Sequence, residues 1–187
     1  MPDICSLRRT NNHPTMFESY LNLIERNVDK DRCAFYSINE DQVTRSCGKE
    51  HSRYPLVLLH THPRRWKTLE GVVEEIKGKM EPGGEIHIII SPRESQLLNL
   101  ETIGTWLFMK RILRKYKFSQ TETYGIFPNA RSPKLFVPFK QNVYQFVLTK
   151  YFRYNDHPLK HMIKQIMVRY LGSISWRGDV VVVGKNG

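Results

Sequence analysis

Two apolar runs joined by an amphipathic segment set the strongest limit on how this chain can fold. Leu56-Val57-Leu58-Leu59 follows Pro55, and Ile86-His87-Ile88-Ile89-Ile90 follows Pro82-Gly83-Gly84. Neither run alternates between apolar and polar residues, so each reads as a strand covered on both faces. Between them, residues 66–80 carry Leu69, Val72, Val73, Ile76 and Met80 at helical spacing. A strand, a helix and a second buried strand make a crossover unit. Its strands are expected to be parallel and its connection right-handed. Pro82-Gly83-Gly84 is read as the stop that ends the helix and turns the chain.

The flanks extend this pattern. Residues 16–27 carry Phe17, Tyr20, Leu21, Leu23 and Ile24 near helical spacing, with Thr15 and Glu18 placed as a capping box. Residues 33–38 and 42–46 read as two short strands around the turn-like Asn39-Glu40-Asp41. Residues 97–116 form a long helix in the same reading, and Phe118–Phe127 a third strand. The three prolines within 128–138 make that stretch a loop. Residues 143–151 and 159–171 read as helices, the second closed by Gly172. Asp179 and four valines form a final strand, ended by Gly184. Strands that alternate with helices place the chain in the layered α/β class. With 187 residues it has the length of one domain.

Charge narrows the partners. Residues 106–170 hold thirteen Lys and Arg against two acids, a surplus equal to the net +11 of the whole chain. A basic half joined to a neutral half points to an anionic partner: nucleic acid, a membrane surface or an anionic small molecule. A solvated basic face explains the same numbers. No apolar run approaches membrane-spanning length, and the first residues do not resemble a secretory leader. The widely spaced Cys5, Cys33 and Cys47 read as reduced thiols, and a cytoplasmic location is expected.

The phrase Lys79-Met80-Glu81-Pro82-Gly83-Gly84, followed by Glu85-Ile86-His87-Ile88-Ile89-Ile90-Ser91-Pro92, resembles the Leu-Lys-Pro-Gly-Gly phrase before the fifth strand of class I S-adenosylmethionine-dependent methyltransferases. The elements after it also follow that family's order, with Phe118–Phe127 and the terminal valines in the places of its sixth and seventh strands. Tyr124-Gly125-Ile126-Phe127-Pro128-Asn129-Ala130-Arg131-Ser132-Pro133 is similar to a segment of methyltransferase-like proteins of surface-polysaccharide or lipid-linked pathways.

The resemblance covers about two thirds of the chain. It implies a three-layer, Rossmann-like, mostly parallel sheet with an antiparallel last strand, truncated in its N-terminal half. One domain then spans 1–187, with 1–54 divergent and 55–187 recognisable. The activity implied is methyl transfer from S-adenosylmethionine to a polar or anionic, saccharide- or lipid-linked acceptor, or a degenerate remnant of that activity. The family holds its cofactor with its first three strands and a glycine-rich turn. Here no two glycines stand at i, i+2, and 55 residues precede Leu56. Glu40 and Asp41 are the candidates for holding ribose hydroxyls.

The tetrapeptide His60-Thr61-His62-Pro63 closes the first buried strand. Open parallel sheets bind ligands at the carboxyl ends of their strands, so His60 and His62 become candidates for a general base or for orienting an acceptor. Loop histidines bonded to backbone fit the same sequence. Arg64 and Arg65 at a helix start, and Arg131 and Lys134 in the proline-rich loop, are candidates for binding an anionic group. His60-Thr61-His62-Pro63 is also similar to the His-x-His-Pro of JAMM-type metalloproteases, which suggests a zinc-dependent hydrolase. That family's Ser and Asp positions hold Glu70 and Val73 here.

Overall fold

The computed structural model describes residues 16–24, 32–39, 42–47, 53–62, 66–92, 100–127, 129–140, 143 and 178–187. In chain order the elements are α1 (Met16–Leu23), β1 (Cys33–Asn39), β2 (Gln42–Cys47), β3 (Tyr54–Thr61), α2 (Trp66–Gly78), β4 (Met80–Ile90), α3 (Leu100–Lys115), β5 (Phe118–Phe127), β6 (Leu135–Pro138) and β7 (Asp179–Asn186). All seven strands join one sheet in the order β2-β1-β3-β4-β7-β5-β6.

The two apolar runs do lie side by side and parallel, with Leu58 opposite His87 and His60 opposite Ile89. They occupy the middle of the sheet because their side chains are apolar on both faces. Val57, Leu59, Ile86, Ile88 and Ile90 point to a core built with Leu69, Val73 and Ile76 of α2 and Met109, Ile112 and Leu113 of α3. Leu56, Leu58 and Ile89 point the other way, against Tyr20 and Leu21 of α1. Each fully buried aliphatic side chain contributes roughly 1.5–3 kcal/mol, and these strands contribute on both sides.

The last strand meets expectation in direction and place. β7 runs antiparallel between β4 and β5, pairing Ile90 with Val180 and Tyr124 with Val181. The sheet is mixed rather than mostly parallel. Only the β1–β3 and β3–β4 pairs are parallel. The reversed β7 separates β4 from β5, and antiparallel hairpin strands finish both edges. The stretch 128–138 is not all loop: Leu135–Pro138 pairs with β5 at the edge, where a proline costs no ladder bond.

Helix ends also differ from the sequence reading. α2 stops at Gly78, and Met80 already belongs to β4. Pro82-Gly83-Gly84 is therefore not a turn between helix and strand but a bulge inside β4. Tyr54 faces Met80 and Leu56 faces Glu85, so two steps on β3 span five on β4. Gly83 takes φ +74°, a left-handed value natural to glycine. α1 ends at Leu23 and α3 spans Leu100–Lys115, inside the limits read from sequence. The readings at 25–27, 97–99, 144–151 and 159–172 lie outside the described residues. So do Cys5 and the side chain of Cys47, while Cys33 is a buried free thiol.

Among the described residues, no helix is long and apolar enough to cross a membrane. Gly71, exposed on α2, leaves open space where a Cβ would sit. Gly71→Ala is therefore expected to stabilise the protein by about 0.5–1 kcal/mol, by lowering unfolded-chain entropy at no steric cost. Thermal denaturation checks this; an unchanged or lower midpoint refutes it.

Candidate functional site

The sheet collects polar side chains at one end. β3 and β4 end there with His60-Thr61-His62 and with Ser91, and the reversed β7 begins there with Asp179. The β5–β6 loop, 129–134, reaches the same edge. Four segments far apart in sequence thus meet at the carboxyl ends of the parallel strands.

Hydrogen bonds join them. The Nε2 of His60 lies 3.0 Å from the Ser91 hydroxyl. The Nδ1–H of His62 donates to the Ser91 carbonyl at 3.2 Å. The backbone N–H of Ser91 donates to the Thr61 carbonyl at 3.1 Å, which extends the β3–β4 ladder by one rung. The two imidazoles meet edge to face with centroids 5.0 Å apart. The buried Asp179 accepts the Ala130 N–H on Oδ2 at 2.5 Å. One residue earlier, the side-chain oxygen of Asn129 accepts the N–H groups of Arg131 and Ser132, each at 3.0 Å. Asp179 and Asn129 together fix the loop that carries Arg131.

The electrostatics follow from burial. His60 is pushed down to about 4, first by burial, then by His62 and Arg131. It is therefore a neutral imidazole at neutral pH. Burial raises the Asp179 carboxyl above its ordinary range, against the opposing pull of the Ala130 N–H, the nearby Ser91 hydroxyl, His62 and Arg131. An exposed guanidinium, two imidazoles and a buried carboxyl thus act on one another at one rim. Such a rim can hold an anion at Arg131 and accept hydrogen bonds at imidazole nitrogens.

The residues singled out from sequence divide clearly. His60, His62 and Arg131 come together. Arg64 and Arg65 lie outside the described residues. Lys134 is exposed, and its backbone N–H serves the β5–β6 hairpin by donating to Phe127. Glu70 pairs with Lys115 of α3 at 2.5 Å, on the helical layer away from His60. Among the described residues no group of three His, Cys, Asp or Glu could hold a metal ion. Ser91 and Asp179 are functional candidates that the sequence reading passed over.

The basic segment also divides. Lys115 is held by Glu70, and Lys110 lies over the Trp106 ring at 5.0 Å. Arg111, Arg114 and Lys117 are exposed at the far end of α3. Most of residues 141–177 lie outside the described part.

The described residues do not fit the cradle that the methyltransferase resemblance implies for its cofactor. β1 passes to its antiparallel partner β2 with Asn39 opposite Gln42, leaving two residues between them. A hairpin stands where a glycine-rich turn and a helix would be needed to bring backbone amides to a ligand. Glu40 and Asp41 are those two residues and lie outside the described part. No protein-family model, no curated protein and no solved structure matches the chain.

Proposed function

We propose that this is a methyltransferase-like protein of Rossmann-like ancestry that has kept the acceptor edge of that fold and lost its cofactor half. In this reading it binds a polar, anionic small molecule at the carboxyl edge of the sheet. Arg131 takes the anionic group, and His60 and His62 take hydroxyl or amine hydrogens. The observation that carries the reading is the meeting of His60, His62, Ser91, Asp179 and the Arg131 loop around one strand end. The reversed β7 between β4 and β5 supports the kinship, because it repeats the strand order expected from the resemblance. The β1–β2 hairpin argues against S-adenosylmethionine as a ligand.

Titration calorimetry tests both halves. Millimolar S-adenosylmethionine is expected to give no binding heat. Glucose 6-phosphate, used as a probe with both hydroxyls and a phosphate, is expected to bind, with affinity lowered at least tenfold in Arg131→Ala. Heat with S-adenosylmethionine would overturn the loss of the cofactor half and restore methyl transfer as the activity. Equal affinity of Arg131→Ala and the parent for the phosphate probe would remove the acceptor-edge reading.

A further inference from the structure

The polar groups at the end of α3 fall into two sets. On the side that meets α2 they are matched by acids: Lys115 pairs with Glu70, and the Tyr116 hydroxyl donates to Glu74. On the outward side they are not. Arg111 and Arg114 stand three residues apart and exposed, Lys110 lies four residues before Arg114, and the exposed Lys117 follows the helix end. Among the described residues Arg111, Arg114 and Lys117 have no ion pair. Residues 106–117 contain no acid. Glu122 of β5 accepts the Tyr124 hydroxyl, and Tyr124 packs in the core on the α1 side of the sheet, away from α3.

This grouping does not serve the helix itself. Like charges three and four residues apart repel. Burial, and then Arg114, hold the Lys110 ammonium below its usual range. The helix dipole accounts for Arg114 and Lys115 in the last turn, but not for Lys110 and Arg111 before it. Lys110 is also held in place, with its ammonium 5.0 Å from the centre of the Trp106 ring. That ring is fixed in turn: its N–H donates to the Thr123 hydroxyl at 2.8 Å, and Phe139 meets it edge to face. An anchored ammonium beside two unmatched guanidinium groups makes a positive strip whose counter-charge must come from outside the described chain.

We propose that the outward face of α3, through Lys110, Arg111, Arg114 and Lys117, docks the phosphate backbone of a nucleic acid. The strip runs about 10 Å along the helix, and each strand of a duplex presents a phosphate about every 3.4 Å of its axis. Several phosphates therefore lie within reach of the four cations at once. An anionic membrane offers similar charge but needs an apolar face to insert. Met109, Ile112 and Leu113 of α3 are already buried in the core, and Leu107 is the one large apolar side chain that α3 exposes among the described residues. The strip is also separate from the Arg131 rim. α3 leads into Phe118, which pairs with Asn186 at the end of β7, whereas the rim gathers at Asp179, where β7 begins. The proposal does not depend on the small-molecule reading.

Fluorescence anisotropy of a labelled 20-base-pair DNA duplex of arbitrary sequence, titrated with the full chain at several salt concentrations, tests this. Four phosphate contacts predict that affinity falls by about a hundredfold or more between 50 and 200 mM salt. Arg111→Gln/Arg114→Gln should bind at least tenfold more weakly at 50 mM salt, and its log–log salt slope should be shallower by about two. Arg32→Gln/Lys79→Gln removes the same charge from residues that are already paired with Glu81 and Glu75. It should stay within about twofold of the parent, as should Arg131→Ala. No binding by the parent at 50 mM salt would overturn the proposal. Equal losses in the two double variants would reduce the effect to net charge and overturn it too. A loss in Arg131→Ala as large as in Arg111→Gln/Arg114→Gln would move the contact to the rim and overturn the separate surface. Sedimentation with phosphatidylserine vesicles supplies the last arm: vesicle binding that is lost in Arg111→Gln/Arg114→Gln, without such a loss on DNA, would make a membrane the occupant and refute the nucleic acid.

Discussion

Gly84→Ala is expected to destabilise the protein by about 2–3 kcal/mol, as overpacking of rigid structure does. For a chain of this length that corresponds to roughly 5–10 °C in the midpoint of thermal unfolding. A Cβ at Gly84 would lie 3.0 Å from the Glu81 carbonyl oxygen and 3.1 Å from those of Tyr54 and Pro55. All three are backbone atoms held in the β3–β4 bulge, so none can swing aside as a side chain would. Gly83, one residue earlier, supplies the contrast. Its Cβ would meet nothing closer than the Cε of Lys185 at 3.9 Å, and only its left-handed φ opposes a side chain. Gly83→Ala should cost about 1 kcal/mol. Paired thermal or urea denaturation of the two variants checks the order. If Gly84→Ala is the milder change, the bulge opens freely and is not the constraint described here.

The bulge matters to the site because it sets register. Carried on in step from Tyr54 and Met80, the pairing would set His60 opposite Ile86. Because of the three extra residues, His60 faces Ile89 instead, and Ser91 arrives beside both histidines.

Acid should weaken the fold through His60. Its folded value, about 4, lies below the ordinary 6.5. A group depressed on folding contributes stability above its unfolded value and loses it as pH falls through the folded one. The loss therefore begins near pH 6.5, amounts to about 2 kcal/mol at pH 5 and approaches about 3 kcal/mol below pH 4. His60→Gln should lack this component while keeping a polar partner for the Ser91 hydroxyl. Asp179, raised on folding, acts with the opposite sign, its contribution growing as pH falls, and it is present in both proteins. The difference between the two stability curves therefore isolates His60. Urea denaturation at pH 7, 6, 5 and 4 measures it. Parallel curves would mean that His60 is not held neutral by its surroundings.

The sequence made the centre of this sheet legible because burial on both faces leaves an unbroken apolar run, and few structures other than an inner strand accept one. The terminal valines were readable for the same reason. Leu135-Phe136-Val137 was not, because its strand is short and its flanking prolines signal a loop; an edge position tolerates them. Pro-Gly-Gly gave a correct irregularity but a wrong kind, since a bulge and a turn use the same residues.

At the site, His60 and His62 stood out as a paired motif at a strand end. Ser91 looked like a strand terminator beside Pro92, and Asp179 like the polar first residue of an apolar run. Their importance lies in β7 running backwards beside β4, which no local pattern encodes. One signal was available: an acid that opens a buried strand must find donors, and the carboxyl edge is where a reversed strand begins.

The placement of β7 also governs how this protein can be made. On the ribosome, β1 to β4 emerge early and can assemble, and β5 with β6 can form a hairpin. Neither group can pair edge to edge with the other until residue 179 and those after it have left the exit tunnel, because the strand between them follows both in the chain. The nascent chain thus carries the unpaired edge of β4 while residues 91–178 are made. During that interval the backbone groups of residues 85–90 that face β7 in the finished sheet lack those partners, which makes this edge the place where pairing with another chain is most readily accepted.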